Sequence, residues 1–288
     1  MSPIQAYLIA SRPKTLIASV CPVILGIIPA IQEEQFNLPI FIITLLSALS
    51  VQIGCNFTND YSDFLKGADT ASRKGPVRAT QAGWISPLGM RYAATLCFVL
   101  TALLSLLLIF KGGWVIGFLA FFCIASAYLY TAGPYPLAYI GLGELFVLLF
   151  FGLIATSTTY YLQTGIWSSE ALLIGIGPGL LSSAILCINN LRDIDEDRRA
   201  RKKTLAVLFG KQFARIEYLV LIFLASISGL FFSQAHPYCA LTTLTLVPAI
   251  PLIKYLFSNH EKNMKPLFQK TIQLQIIYTA LFILGYLL

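Results

Sequence analysis

Apolar and polar positions alternate along this chain on the scale of whole helices rather than of single residues. Nine apolar runs follow one another from end to end, at approximately 15–31, 38–58, 89–110, 113–131, 137–161, 170–190, 214–233, 237–257 and 267–287. Each is near the roughly 20 residues that a helix needs to cross the hydrocarbon core of a bilayer. Backbone N–H and C=O groups in lipid find no water, so a helix, which pairs them within the segment, is the predicted form of every run. The predicted fold is all-α: a polytopic membrane bundle of about nine transmembrane helices, in one domain over residues 1–288. Pro22, Pro29, Pro178, Pro248 and Pro251 fall inside runs and predict kinks or re-entrant bends.

Composition agrees with the pattern. Hydrophobic residues make up 57% of the chain, and the mean hydropathy of +0.76 excludes a soluble fold. The start, MSPIQAYLIASRPKTL, lacks the basic-then-apolar order of a signal peptide, so the first span is expected to stay in the mature protein. The net charge of +7 does not predict a nucleic-acid partner, because the basic residues sit in short loops between spans. With the N-terminus inside, the N-terminal arm and the loops after spans 2, 4, 6 and 8 hold every Lys and Arg except Lys111. This predicts a cytoplasmic N-terminus and an outside C-terminus, in a cell inner membrane or a thylakoid-like one. The six cysteines (Cys21, Cys55, Cys97, Cys123, Cys187 and Cys239) are scattered, and they show neither zinc-site nor disulfide spacing.

Against this apolar background, two polar stretches stand out: NFTNDYSDFLKGAD (Asn56 to Asp69) and NNLRDIDEDRRARKK (Asn189 to Lys203). They contain all six aspartates: Asp60, Asp63, Asp69, Asp193, Asp195 and Asp197. Both follow even-numbered spans, so both face the cytoplasm at similar depth. Asn56, Asp60 and Asp63 are spaced i, i+4, i+7, and Asn189, Asp193 and Asp197 are spaced i, i+4, i+8. On a helix, each set lines one face. The match makes a weak internal repeat plausible. Carboxylates gathered at one surface repel one another unless cations neutralise them. The two histidines, His236 and His260, are distant in sequence, and an oxygen-only ligand set predicts a hard ion, Mg²⁺ or Mn²⁺. Lys66, Arg73, Lys74 and Arg78 beside the first cluster, and Arg198 to Lys203 beside the second, complete the composition of a diphosphate site. The bland alternative is that aspartates at helix ends balance neighbouring bases as solvated loops; two matching clusters holding every aspartate argue against it. Some of the basic residues only set topology, and sequence does not separate these from phosphate ligands.

At this point the chain resembles a known family. The paired Asn/Asp motifs on a nine-span scaffold resemble the UbiA superfamily of intramembrane aromatic prenyltransferases. Within it, five stretches resemble the MenA branch, which attaches a polyprenyl chain, or in plants a phytyl chain, to 1,4-dihydroxy-2-naphthoate. They are RPKTL (Arg12 to Leu16), NDYSDFLKGADT (Asn59 to Thr70), GPVRAT (Gly75 to Thr80), YTAGPYPLAYIGLGEL (Tyr130 to Leu145) and NNLRDIDEDRRARKKTLAVLFG (Asn189 to Gly210). The first motif departs from the ubiquinone-type pattern, in which aspartates recur at regular helical intervals. Asp69 follows beyond Gly67, and its role as ligand or loop residue stays open.

The resemblance implies a Mg²⁺-dependent transferase of menaquinone or phylloquinone biosynthesis. It implies that Asp60, Asp63, Asp193 and Asp197 bind two Mg²⁺ ions (Mn²⁺ being possible) that bridge a polyprenyl or phytyl diphosphate. Asn56, Asn59 and Asn189 would contact the diphosphate, and Lys66, Arg73, Arg78 and Lys203 would neutralise the leaving group. Ionisation gives an allylic cation, which the aromatic acceptor attacks with loss of CO₂; some of the 14 Tyr and 20 Phe could shield the cation. The donor's tail explains the membrane lipid environment. For the acceptor, the candidates are Tyr130, Tyr135 and Tyr139, which serve equally as interfacial tyrosines, with Lys14 beside Arg12 for a carboxylate. Glu144, an acid in a predicted span, is expected to act as a base, to orient an acceptor hydroxyl or to pair with a neighbouring helix.

Other readings remain at this stage. Within the family the acceptor could be 4-hydroxybenzoate, homogentisate, a chlorin or haem. A cation-coupled transporter predicts acids at the bilayer midplane, whereas here, apart from Glu144, they gather at one surface. A phosphatidyl-alcohol transferase packs Asp, Gly and Arg into one continuous segment, which two separated clusters do not match.

Overall fold

A computed structural model describes residues 2–68, 75–258 and 263–288, and among these every regular element is helical. Asp69, Arg73, Lys74 and His260 fall outside the described residues. A short helix, α1 (Pro3–Ala10), opens with a capping box in which Ser2 and Gln5 satisfy each other's backbone N–H groups. Eight helices then have the length and apolar character to cross a membrane. They are α2 (Pro13–Gln32, entered through a 3₁₀ turn), α3 (Leu38–Leu65), α4 (Pro87–Gly112), α6 (Gly143–Thr164), α7 (Ser169–Arg192), α9 (Leu205–Phe232), α10 (Pro237–Phe257) and α11 (Lys265–Leu287). The ninth predicted span is a shorter apolar helix, α5 (Trp114–Leu129).

Boundaries shifted where glycine and proline act. The seventh predicted span begins nine residues early, at Leu205, because the polar stretch Lys211–Arg215 continues the helix after a break at Gly210 (φ 86°, ψ 174°). The fifth begins late, at Gly143, after an irregular segment over 130–142. Pro22, Pro29 and Pro251 lie inside helices, as expected. Pro178 and Pro248 instead sit partway along α7 and α10, in the first turns of the α-helical segments Ile176–Arg192 and Leu246–Phe257, where a missing N–H is best tolerated.

α3 lies along α4, α7 against α9, and α11 against α7 and α10. The larger apolar core joins α2, α7, α9, α10 and α11, and includes Leu181, Ile188, Tyr218, Ile222, Tyr278 and Phe282. A smaller one joins α1, α3 and α4 through Ala6, Phe57, Tyr61 and Met90. In lipid there is little hydrophobic drive between helices, so close backbone contact matters. Gly152 in α6 faces Gly175 and Gly179 in α7, where an added Cβ would lie 2.5 Å from the Gly175 carbonyl oxygen. Large apolar side chains point outward from α4 and α5, including Leu96, Leu103, Phe110, Trp114 and Phe121, as a lipid-facing wall requires.

Candidate active site

The last turns of α3 carry Asn56, Asp60 and Asp63 on one buried face, with Asp60 and Asp63 only 1% and 2% exposed. Asp60 anchors the following loop: its carboxylate accepts hydrogen bonds from the backbone N–H groups of Thr80 (2.8 Å) and Ala79 (3.1 Å). That anchor brings the buried Arg78 guanidinium to 3.5 Å from Asp63. Asp63 also accepts from the Tyr139 hydroxyl at 3.0 Å and from Lys202 Nζ at 2.9 Å. Asn56 donates its amide to the Ser11 carbonyl, and Gln52 donates to that of Thr15, so α3 holds the RPKTL corner in place. The helix ends in a Schellman turn, with Ala68 N–H on the Asp63 carbonyl and Gly67 N–H on that of Phe64. Gly67 takes the left-handed conformation this turn needs (φ 68°).

The second motif is not one continuous helical face. α7 stops at Arg192, Asp193 adopts φ −94° and ψ 10°, and a six-residue helix, α8 (Ile194–Arg199), follows. Asp195, Glu196 and Asp197 in its first turn and Arg198 and Arg199 in its last suit the helix dipole. Arg192 grips Asp193 with two bonds, of 2.6 and 2.7 Å, and reaches Asn189 Oδ1 at 2.6 Å. α8 ends in another Schellman turn: Lys202 N–H bonds the Asp197 carbonyl and Arg201 N–H that of Arg198. Here Arg201 takes the left-handed position (φ 58°).

The two motifs meet through Lys202, whose side chain is 12% exposed and whose Nζ lies 2.9 Å from Asp63 and 3.7 Å from Asp197. The segment between α5 and α6 seals the junction. Tyr139 has Lys66 Nζ 4.7 Å and Lys202 Nζ 5.0 Å from its ring centroid, a double cation–π contact, and its carbonyl accepts from Lys203 N–H. Lys66 also donates to the Thr131 carbonyl at 2.6 Å, while Thr131 donates to Asn59. Loss of solvent around the Lys66 amine, helped by the nearby Lys202 charge and opposed by Asp63, lowers its pKa below the ordinary lysine value. Tyr130 lies behind this layer. Burial, and then the charges of Glu144, Asp197 and Asp63, hold its phenol protonated well above the usual tyrosine range.

Deeper in the bundle, Glu144 is buried and accepts a hydrogen bond from Asn190 Nδ2 at 2.7 Å, while its backbone carbonyl accepts from Ser183. Within electrostatic reach lies Glu217 of α9, which accepts from Cys187 Sγ at 3.5 Å.

The structure therefore redistributes several of the expected site residues. Asp63 and Asp197 converge on one ammonium, whereas Asp60 is engaged by backbone N–H groups and Asp193 by Arg192. Asn56 spends its amide on the RPKTL corner, and Asn189 is gripped by Arg192. Tyr139 was expected on the acceptor, but its hydroxyl is on Asp63. Tyr135 is 80% exposed, and Lys14 is exposed on the 3₁₀ turn. The basic residue between the clusters is Lys202, not Lys203, whose side chain is exposed and which contributes its backbone N–H. Arg73 falls outside the described residues. In the sequence, Lys202 figures only as one member of the basic run Arg198 to Lys203, and Asn190 and Glu217 carry no expected role; Glu217, an acid inside the predicted span 214–233, carries a usable signal.

The donor set suits Mg²⁺. The electron-pair donors that converge on Lys202 are carboxylate oxygens, and among the described residues no three His, Cys, Asp or Glu side chains gather closely enough to hold an ion by themselves. A hard ion held by one or two carboxylates takes its remaining ligands from water and substrate phosphates. The arrangement fits an ion that arrives with a diphosphate.

Comparison with known proteins agrees with this geometry. The UbiA prenyltransferase family profile matches residues 19–277. The 1,4-dihydroxy-2-naphthoate octaprenyltransferase of Haemophilus influenzae is 34% identical, over 96% of this chain and 94% of its own. The enzyme of the same name from Escherichia coli is 33% identical, over 98% and 94%. A solved structure of a UbiA homolog from Archaeoglobus fulgidus bound to GPP and Mg²⁺ superposes with a TM-score of 0.72 at 16% identity, covering 98% of each chain, so it shares the fold. With its profile match spanning most of the sequence and its two aspartate motifs joined at one end of a helical membrane bundle, the chain belongs to the UbiA prenyltransferase family.

Proposed function

We propose that this protein transfers a polyprenyl group from its diphosphate to 1,4-dihydroxy-2-naphthoate, with loss of CO₂, in menaquinone biosynthesis. The observation that carries the reading is the convergence of Asp63 and Asp197, from motifs far apart in sequence, on a single position at one end of the bundle. The names and high coverage of the relatives support the acceptor and favour a polyprenyl over a phytyl donor.

Asp63 and Asp197, with Asp60 and Asp193 three and four residues before them in the chain, would hold Mg²⁺, which when bound neutralises the diphosphate and stabilises it as a leaving group. Lys66, Arg78 and Lys202 would present positive charge to the departing oxygens. The C1–O bond of the donor breaks with its electron pair on pyrophosphate. The acceptor carbon bearing the carboxylate attacks the allylic cation, and the C–CO₂ bond then releases its electrons to restore the aromatic ring. Glu144, held by Asn190, and the neutral Tyr130 phenol belong to the acceptor side, where they orient the naphthoate hydroxyls. The excess of Lys and Arg at this end of the bundle supports a cytoplasmic site, with the C-terminus outside.

The test is release of labelled CO₂ from carboxyl-labelled 1,4-dihydroxy-2-naphthoate by purified protein with octaprenyl diphosphate and Mg²⁺, beside 4-hydroxybenzoate as competitor. Stoichiometric CO₂ and prenylated product, undiminished by the competitor, are expected. Prenylation of 4-hydroxybenzoate in preference would overturn the acceptor assignment.

A further inference from the structure

Lys202 stands where a metal ion would bring the two motifs together. Its ammonium makes an ion pair with Asp63 and lies within 3.7 Å of Asp197, both carboxylates being buried. Arg78 reaches Asp63 at 3.5 Å, and Lys202 is the cation that stands between Asp63 and Asp197; two buried anions drawn together without such a shared counter-charge would destabilise this end of the bundle. The lysine is also held by the backbone. It follows Arg201, a non-glycine residue in the left-handed region, and its own N–H closes the turn on the Asp197 carbonyl. Lys202 is therefore tied by its main chain to the backbone of Asp197 and by its side chain to the Asp63 carboxylate. Its flexible four-carbon stem allows the charge to swing without moving that anchor.

We propose that Lys202 is a resident counter-ion. In the substrate-free protein its ammonium takes the place of the divalent cation between Asp63 and Asp197; when metal and diphosphate arrive together it gives up the carboxylates and pairs with phosphate oxygens. The exchange keeps charge balanced, because each anion lost by Lys202 is taken by the metal and each gained is brought by the donor. Its consequence is ordered binding: metal alone competes with Lys202 and binds weakly, while metal with diphosphate binds tightly. This inference rests on the proposed metal role of Asp63 and Asp197.

The test is Mn²⁺ binding to donor-free protein, followed by loss of the free-ion electron paramagnetic resonance signal. It would compare wild type, Lys202→Met, Lys202→Gln, Asp63→Asn and, as a control on an exposed cation elsewhere, Lys254→Met. Lys202→Met and Lys202→Gln should bind Mn²⁺ about tenfold or more tighter than wild type, and Lys254→Met should not differ. With Mn²⁺ present, inorganic pyrophosphate should bind both Lys202 variants about tenfold more weakly than wild type. The Gln variant keeps side-chain length without charge and serves if the Met variant does not fold. Unchanged or weaker Mn²⁺ affinity in whichever Lys202 variant folds, beside wild-type binding that Asp63→Asn abolishes, overturns the counter-ion role alone. No Mn²⁺ binding sensitive to Asp63→Asn in any variant overturns the metal site and this inference with it.

Discussion

Asp63 and Asp197 hold the same position in two copies of one helix-ending turn. Each supplies the carbonyl that accepts the closing N–H from five residues on, Ala68 in one case and Lys202 in the other. Each presents its carboxylate to the same ammonium. The residue in the left-handed position is Gly67 in the first turn and Arg201 in the second. The two motifs, similar but not equal in aspartate spacing, thus end in matching turns. The motifs differ at the closing residue, which is apolar in one copy and the bridging lysine in the other.

The left-handed position of Arg201 costs a non-glycine residue about 1 kcal/mol. Arg201→Gly should relieve that cost and keep Lys202 in place, giving activity near wild type and slightly greater thermal stability. Arg201→Val, β-branched and ill-suited to positive φ, should lower activity by disturbing Lys202. Thermal unfolding in detergent, read beside turnover, checks both variants; equal behaviour of the two would disprove the link between this turn and the site.

Asp60 serves the fold as well as the chemistry. Asp60→Ala removes the acceptor for two backbone N–H groups, each worth about 1–3 kcal/mol when buried and unpaired. It should destabilise the protein and release Arg78 from Asp63, so activity and stability fall together. Asp60→Asn keeps one acceptor oxygen and should lose less stability. A fully stable Asp60→Ala protein would show that the 75–80 loop is held by other contacts.

Asn190 donates to a buried carboxylate, a bond worth about 1.5–3 kcal/mol. If Glu144 orients the acceptor, Asn190→Leu should lower kcat/KM for the naphthoate by roughly ten- to a hundredfold and leave the KM of the donor unchanged. Steady-state kinetics with each substrate varied in turn checks this. An effect confined to the donor would move Glu144 to the diphosphate side.

Lys66 gives the site a pH limit. Its pKa is lowered, first by loss of solvent, so it is charged below that value and loses its charge as pH rises through it, earlier than an ordinary lysine at 10.5. If it binds diphosphate, donor affinity should decline on the alkaline side in this range. Lys66→Arg, charged throughout, should shift the decline to higher pH. Donor binding measured against pH would show no such shift if Lys66 only anchors Thr131.

The membrane bundle was legible because burial in lipid forces long apolar helices, and eight of the nine runs became helices of spanning length. The motif pairing was legible because aspartates are costly in such a chain. Finer assignments depended on turns. Lys202 and Lys203 look alike in a run of basic residues, and the left-handed Arg201 decides which one turns inward. Tyr139 looks like any interfacial tyrosine until the irregular segment after α5 carries it onto Asp63. Asp193 reads as part of a helical face, but the helix breaks there, where Arg192 can grip it.

The most direct test of the account is prenyl transfer to 1,4-dihydroxy-2-naphthoate with Mg²⁺ titrated from zero, after EDTA treatment, in wild type, Asp63→Asn and Asp197→Asn. The account predicts no activity without Mg²⁺, recovery in wild type as it is added, and a loss of at least a hundredfold in both variants at saturating Mg²⁺, since each removes one arm of a shared cation site. Wild-type turnover that survives EDTA, or near-normal activity in either variant, would contradict it.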